Sequence, residues 1–506
     1  MLAKFTGYTL IGLSGETVEV EVDTNNGMPS FDIVGLPDVA VKESKERVRS
    51  AIKNSGKKFP NHKITVNLAP ADLKKEGAGL DLPIALGIIK ASGQLGDKEL
   101  TDTVMIGELS LDGTIRAVTG VLPILISARE KGYKKAIIPC DNAKEGEYID
   151  GVEIKTAKNL KELCAYLEGF GEIESVQKND YKVIAENTKY DDDISYVKGQ
   201  YVAKRAMEIA VSGNHNIILV GPPGAGKTML AKCIPSIMPD MTFEEALETT
   251  KIHSASGKLS VDEGIIYRRP YVTPHHTASS VSIIGGGNMA KPGIISLAHN
   301  GVLYLDEMAE YPRSVLESLR QPLEDRVITV SRAKASVKYP ASFMLVGSMN
   351  PCPCGFFGTK QGECKCSSSQ IIKYKAKVSG PLMDRMDIRI NVDSVKYSEL
   401  TDKNGGETSE EVRKRVNRTR LIQRERFKDD KINSNAEMGE KQVNEYCKLS
   451  IECDNIMQKA FESLKLSARA RNRIIKVART IADMELSENI EPKHLLEAIS
   501  YRSEEI

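Results

Sequence analysis

The eight residues Gly221-Pro-Pro-Gly-Ala-Gly-Lys-Thr228 leave this chain little choice of fold around them. Before them runs Asn216-Ile-Ile-Leu-Val220, a short apolar stretch of the kind a buried strand needs. After them, Met229-Leu-Ala-Lys-Cys233 reads as the opening of a helix. Strand, glycine loop, Lys-Thr and helix are the context in which backbone N–H groups close on phosphates. Gly221, Gly224 and Gly226 allow that turn because no Cβ stands in the way, and Pro222, Pro223 and Ala225 complete the loop. Lys227 is placed to reach the β- and γ-phosphates as a point charge, and Thr228 to offer its hydroxyl to Mg²⁺. The pattern predicts a nucleoside triphosphate site.

A chain of 506 residues exceeds one hydrophobic core, so two or three domains are expected. The net charge of +1 excludes a global polycation, and any nucleic-acid surface must be a local patch. With no Trp and 5% aromatic residues, base stacking is a poor candidate for the main binding device. No apolar run reaches membrane-spanning length, and Met1-Leu-Ala-Lys-Phe-Thr6 has no signal-peptide core. Nine cysteines, an odd number without an export signal, point to a reducing compartment. A cytoplasmic location with no membrane partner is expected.

Residues 1–170 read as an α/β domain. Thr17–Val22, Ile64–Leu68, Val104–Leu109 and Lys135–Pro139 have strand patterns, while Asp38–Asn54, Leu82–Ala91 and Val121–Lys131 have helical ones. Lys75-Glu-Gly-Ala-Gly-Leu-Asp81, Gly107-Glu-Leu-Ser-Leu-Asp-Gly-Thr-Ile-Arg-Ala-Val118 and Ala136-Ile-Ile-Pro-Cys140 resemble the proteolytic domain of Lon-type proteases, which shares the fold of ribosomal protein S5 domain 2. That family uses a Ser–Lys dyad. The alignment puts the serine position near Gly79 and the lysine position near Leu122, so the domain lacks the dyad and reads as a scaffold. Residues 171–194 turn polar, with Asp191-Asp-Asp193, and read as a linker.

Residues 195–395 read as a parallel-sheet ATPase core. Gly301-Val-Leu-Tyr-Leu-Asp-Glu307 is an apolar strand ending in two carboxylates. Beside a P-loop, Asp306 would hold Mg²⁺ and Glu307 would polarise the attacking water. Phe343-Met-Leu-Val-Gly-Ser-Met-Asn350 ends on a polar tip, where Asn350 either bonds the γ-phosphate and water or simply caps the strand. Cys352-Pro-Cys354 and Cys364-Lys-Cys366 suit tetrahedral Zn²⁺, with reduced free thiols and then an iron–sulfur cluster as the alternatives. His275 and His276 are adjacent on an extended segment and point apart, which suits a shared metal poorly.

Further features of this core come by resemblance. Gly199 and Gln200 sit where AAA+ ATPases pass the chain over the adenine. Ser379-Gly-Pro-Leu-Met-Asp-Arg-Met-Asp387 resembles the arginine-finger segment of magnesium chelatase ATPases and minichromosome-maintenance helicases. Arg385 would then reach a neighbouring subunit's γ-phosphate, and a surface pair with Asp384 or Asp387 is the alternative. Ile283–Gly293, with Lys291, and the arms Arg326–Ser331 and Ala335–Tyr339 around Arg332-Ala-Lys334 resemble the helix-2 insert and pre-sensor-1 hairpin of that clade. Basic side chains there would contact DNA phosphates in a ring's pore, or else form an ordinary solvated turn.

Residues 396–506 read as an all-α lid with helices over Ser409–Phe427, Gln442–Cys447, Asp454–Leu464, Ala468–Met484 and Pro492–Ser500. The arginines of the first helix read as a solvated face. Arg469 matches the sensor-2 position, which touches the nucleotide in cis; an exposed arginine at a helix start is the alternative. Taken in order, the Lon-like domain, helix-2-insert AAA+ core, cysteine loop and lid resemble the ComM/YifB family of magnesium-chelatase-like ATPases. The resemblance implies ATP with Mg²⁺, a homo-oligomeric ring, a hexamer, and movement along single-stranded or branched DNA. Branch migration in recombination and natural transformation is the implied role. The second reading is a chelatase-type ATPase that remodels a protein partner for metal insertion.

Overall fold

The computed structural model describes all residues except 97–99, 101, 187–189, 288–289, 333–334, 360–361, 396–398, 400–405 and 504–506. The chain forms two compact units, Met1–Glu186 with Phe243–Tyr267, and Asn187–Thr242 with Arg268–Ile506.

Among the described residues, the first unit has nine strands: β1 Leu2–Ile11, β2 Ser14–Asn25, β3 Ser30–Val34, β4 Lys63–Ala69, β5 Thr103–Met105, β6 Glu108–Leu109, β7 Ile115–Arg116, β8 Lys135–Pro139 and β9 Glu153–Ala157. Seven of them form a mixed sheet in the order β3-β4-β2-β1-β5-β8-β9. β2 runs antiparallel to β1 and β4, and the other neighbours are parallel. The sequence pattern gives little sign of β1, because its apolar side chains serve two cores. Phe5 joins the cluster under helices Val39–Asn54 and Asp81–Ala91, whereas Tyr8 joins the cluster under Val121–Glu130. A strand covered on both faces loses the period-two signal. The single strand expected over Val104–Leu109 is split. β5 stays in the sheet, while β6 leaves it to pair with β7. Gly107 makes the break possible, since a Cβ there would lie 2.7 Å from Ile115 Cγ2.

Helix Phe243–Ser256, which the sequence pattern places inside the 195–395 core, packs in this first unit. Its Leu247 joins the Tyr8 cluster, and Ser254 donates to the buried Glu145 carboxylate. Glu145 also accepts from Leu122 N at 2.9 Å and Asn142 Nδ2 at 2.8 Å. Leu122, near which the sequence reading puts the lysine position of a protease dyad, is buried with its backbone N–H tied to this carboxylate. Most of the expected linker, up to Glu186, also belongs here: Ile173 is buried, and Tyr181–Glu186 is a short helix with Tyr181 against Phe243.

The second unit carries β10 Ile217–Val220, β11 Tyr271–Val272, β12 Gly285–Gly286, β13 Lys291–Pro292, β14 Val302–Leu305, β15 Val327–Arg332, β16 Ala335–Pro340, β17 Met344–Met349 and β18 Ile388–Asn391. Five of them make an all-parallel sheet in the order β11-β14-β17-β10-β18. β10, β14 and β17 are buried along their whole length, as strands covered on both faces must be. The C-terminal helices are not a separate core. Val416, Ile475 and Ile481 share one apolar cluster with Ala206, Ile209 and Leu219.

Several arginines of helix Ser409–Arg426 also depart from the expected solvated face, although Arg418 is exposed. Arg420 donates to Val211 O at 2.9 Å, and Gln423 to Ser212 O at 3.0 Å. These are last-turn carbonyls of helix Tyr201–Gly213, which have no partner within their own helix. Arg415 pairs with Glu208, and Arg426 with the buried Asp483. The helix starts on a capping box between Thr408 and Glu411. Among the described residues, no helix is long and apolar enough to cross a membrane.

Candidate nucleotide site

In a parallel sheet every strand ends at the same edge, so residues that follow β10, β14 and β17 are neighbours by construction. β10 runs into Gly221–Gly226, and Lys227 opens helix Lys227–Ile237. Gly224 and Gly226 have φ of 76° and 87°, left-handed values that favour glycine. Gly221 is needed for a different reason: a Cβ would stand 2.2 Å from Val392 O on the chain leaving β18. Lys227 Nζ donates to Gly221 O at 2.7 Å, Pro222 O at 2.8 Å and Asn350 Oδ1 at 3.1 Å. Burial lowers its pKa, with Asp306 and Glu307 acting in the opposite direction.

Asp306 follows β14. It accepts from Thr228 Oγ1 at 3.2 Å, Tyr304 OH at 2.8 Å, Ser348 Oγ and its neighbour Glu307 N at 3.1 Å. Burial opposes its ionisation, but these hydrogen bonds outweigh it and hold the carboxyl below the usual range. The Thr228 hydroxyl and the Asp306 carboxylate are hard oxygen donors side by side, which fits Mg²⁺. Tyr304 and Ser348 orient this carboxylate, and sequence reasoning singled out neither. Each sits two residues before a recognised tip, Asp306 or Asn350, and so points to the same side of its strand. Glu307 is exposed and left-handed at φ 49°. Its backbone N–H is tied to Asp306 and to Ser348 Oγ at 3.2 Å. Gln200 reaches Ala225 O at 3.3 Å from behind the loop, with Gly199 beside it at φ 62°.

Arg385 lies elsewhere. Asn216, the residue before β10, accepts from Asp387 N at 2.9 Å, donates its N–H to Asp387 Oδ2 at 2.9 Å, and donates through Nδ2 to Arg385 O at 3.0 Å. Arg385 is therefore at the amino edge of the sheet, opposite its own P-loop, with a four-residue strand of about 13 Å between the two edges. The residue is 5% exposed, and its side chain is engaged within the chain. It donates to Pro381 O at 2.7 Å and pairs with Glu324, rather than with Asp384 or Asp387. Asp387 is taken by Arg473, which also donates to Arg385 O.

Arg469 stands one turn before Arg473 on helix Ala468–Met484. It is exposed, and its positive charge is felt by Glu324, whose carboxyl is held low chiefly by its hydrogen bond with Arg385. The expected contact of Arg469 with the nucleotide of its own chain is therefore at odds with its place. It shares the amino edge with Arg385, away from Lys227.

The remaining candidates fall on three loops. The four sulfurs of Cys352, Cys354, Cys364 and Cys366 lie within 4.8 Å of one another. β12 and β13 form a two-stranded turn carrying the exposed Lys291, and β15 pairs with β16 up to Arg332↔Ala335. The two excursions are joined, as Tyr339 OH on β16 donates to Ala290 O at 2.7 Å. The Arg332 side chain and Lys334 lie outside the described residues. Against the expectation that they point apart, the rings of His275 and His276 lie with centroids 4.1 Å from each other, because the chain turns at His276-Thr277. His275 Nδ1 also meets Thr277 Oγ1 at 2.8 Å, and His276 lies against Tyr311.

Comparison with known proteins covers almost the whole chain. The family described as magnesium chelatase, subunit ChlI, matches residues 193–400, its C-terminal family matches 406–502, and a third description, subunit ChlI of Mg-chelatase, matches 20–142. Competence protein ComM of Haemophilus influenzae is 42% identical over 500 residues, covering 97% of this chain and 96% of the relative. The uncharacterized protein YifB of Escherichia coli is 41% identical over 494 residues, covering 97% and 95%. Lon protease 2 of Bacillus subtilis is 29% identical over 168 residues, covering 30% of each chain.

Proposed function

The chain belongs to the magnesium-chelatase-like AAA+ ATPases of the ComM/YifB family, and we propose that this ATP-hydrolysing enzyme is a ring motor that drives branch migration on DNA. The observation that carries the ring is the separation of two half-sites. Lys227, Thr228, Asp306, Glu307 and Asn350 stand at the carboxyl edge of one sheet, whereas Arg385 and Arg469 stand at its amino edge. Neither arginine can serve the P-loop of its own chain from there. Head-to-tail association supplies each P-loop with the arginines of the next subunit, and such contacts close into a ring; a hexamer is the ring proposed.

In this reading the glycine loop and Lys227 bind the phosphates, and Gly199 and Gln200 flank the adenine. Thr228 and Asp306 hold Mg²⁺, which supplies charge neutralisation at the transferring phosphoryl group when bound. Glu307 polarises the attacking water, and Asn350 orients it. Arg385 must exchange Glu324 for the neighbour's γ-phosphate, so the intrachain pair is the resting partner of the finger. Zn²⁺ in the four-cysteine loop completes the set of bound ions.

DNA as the track is supported by the basic residues Lys291, Arg332 and Lys334 on the two joined excursions, and by the likeness to a protein named for competence. Phosphate contacts of this kind grip without reading sequence. The test is charge reversal at Lys291 and Arg332, read by binding to forked DNA across a salt series. Weaker binding with a shallower salt slope is expected. Unchanged binding at every salt would overturn the pore assignment, and a chelatase-type protein partner would replace DNA.

A further inference from the structure

The loop between Asn350 and helix Ser368–Lys375 brings four thiols to one point. Cys352 Sγ lies 3.3 Å from Cys354 Sγ and 3.7 Å from Cys364 Sγ, and Cys354 and Cys364 are also 3.7 Å apart. All nine cysteines are free, and these separations far exceed the roughly 2.05 Å of a disulfide. They match another object. Four sulfurs about 2.3 Å from one zinc ion occupy the corners of a tetrahedron with edges of about 3.8 Å. An iron–sulfur cluster puts its own iron and sulfide between the thiolates and spreads them wider.

The surroundings are those of metal-bound thiolates. Phe357 N donates to the fully buried Cys352 Sγ at 3.3 Å, and the backbone N–H groups of Phe356 and Lys365 face Cys354. Such outer-shell donors orient thiolate ligands and temper their charge.

The loop is also wired to the nucleotide site at three places. It starts directly after Asn350. Gly355, at φ 85°, lies so close to the P-loop that a Cβ would stand 2.5 Å from Pro223 Cδ. Beyond Cys366, a capping box between Ser367 and Gln370 starts the next helix, and the Tyr374 hydroxyl on it faces the Asn350 backbone. The chain thus leaves Asn350, passes through the four sulfurs, touches the P-loop, and returns to Asn350.

We infer that Cys352, Cys354, Cys364 and Cys366 hold one Zn²⁺, and that the loaded knot is a brace which sets Asn350 and the P-loop for hydrolysis. Zinc occupancy then controls turnover more than nucleotide binding. The inference rests on ATP hydrolysis alone and is independent of DNA as the track.

The test uses the full chain purified under reductant without chelator. Elemental analysis is expected to find one zinc per chain. Extraction with an organomercurial thiol reagent and a chelator, followed by excess thiol, is expected to lower basal kcat at least tenfold. Binding of a fluorescent ATP analogue should change by less than threefold, and added Zn²⁺ should restore kcat. Gly355→Ala is expected to keep its zinc and still lose most of its turnover, which separates the brace from simple unfolding. A chain that holds no stoichiometric zinc after reconstitution overturns the site. Undiminished kcat after extraction, or in zinc-loaded Gly355→Ala, overturns the brace. Failure of DNA to stimulate the ATPase bears on the motor reading and leaves this result intact.

Discussion

Lys227 Nζ and Asn350 Oδ1, 123 positions apart in the chain, are joined by a 3.1 Å hydrogen bond across the carboxyl edge of the parallel sheet. The bond places the phosphate-binding ammonium and the tip of β17 on one point, with the Thr228–Asp306 pair beside it. Lys227→Ala is expected to abolish both ATP binding and turnover. Asn350→Ala should bind ATP within a few-fold of wild type while kcat falls about 10²-fold, since it removes a donor that acts on the reacting groups. Equilibrium binding and steady-state kinetics on the two variants separate these outcomes. Equal loss of binding in both would contradict the assignment of Asn350.

The edge-to-edge division of the site makes a second expectation. Arg385→Ala and Lys227→Ala chains are each expected to be inactive alone. Mixed before assembly, they should recover measurable hydrolysis, because some interfaces then pair an intact P-loop with an intact arginine. Arg469→Ala should behave like Arg385→Ala in the same mixing experiment. Recovery absent from every ratio, with mixed assemblies verified, would place the arginines in the service of their own chain.

How far the sequence reveals this arrangement depends on how local each signal is. The P-loop, the Asp306-Glu307 strand end and the Asn350 tip are contiguous patterns, and the parallel sheet brings them together without further information. Tyr304 and Ser348 read as ordinary strand residues until the fold directs both at Asp306. The position of Arg469 is invisible in the same way, because only the Asn216–Asp387–Arg473 contacts reveal which edge its helix approaches. Helix Phe243–Ser256 is the plainest case. It lies between two motor elements in sequence, and only Ser254 on Glu145 and Leu247 in the Tyr8 cluster show where it packs. β1 is hidden for the opposite reason, too many apolar contacts rather than too few.

Buried titratable groups under the lid predict how stability depends on pH. His215 is fully buried, with Nε2 2.8 Å from Thr480 Oγ1 and no hydrogen bond at Nδ1. Burial pushes its pKa down to about 4; Asp387 opposes that shift, while Lys476, Arg420 and Arg473 reinforce it. The folded pKa lies below the unfolded value near 6.5, so the neutral ring stabilises the fold above that pH. The contribution fades as pH falls from about 6.5 towards 4, by up to about 3 kcal/mol. Denaturant unfolding at pH 7 and pH 5 should show a loss in wild type that is smaller in His215→Gln. An equal loss in both proteins would mean that His215 is not the titrating group.

The most direct test of the central claim is steady-state ATP hydrolysis by the full chain with and without single-stranded and forked DNA, at two salt concentrations. The expected result is stimulation by DNA that weakens at the higher salt and disappears in Lys227→Ala, as a motor gripping phosphates requires. Hydrolysis indifferent to every DNA at both salts would contradict a DNA motor, and would leave an ATPase whose track or partner is a protein.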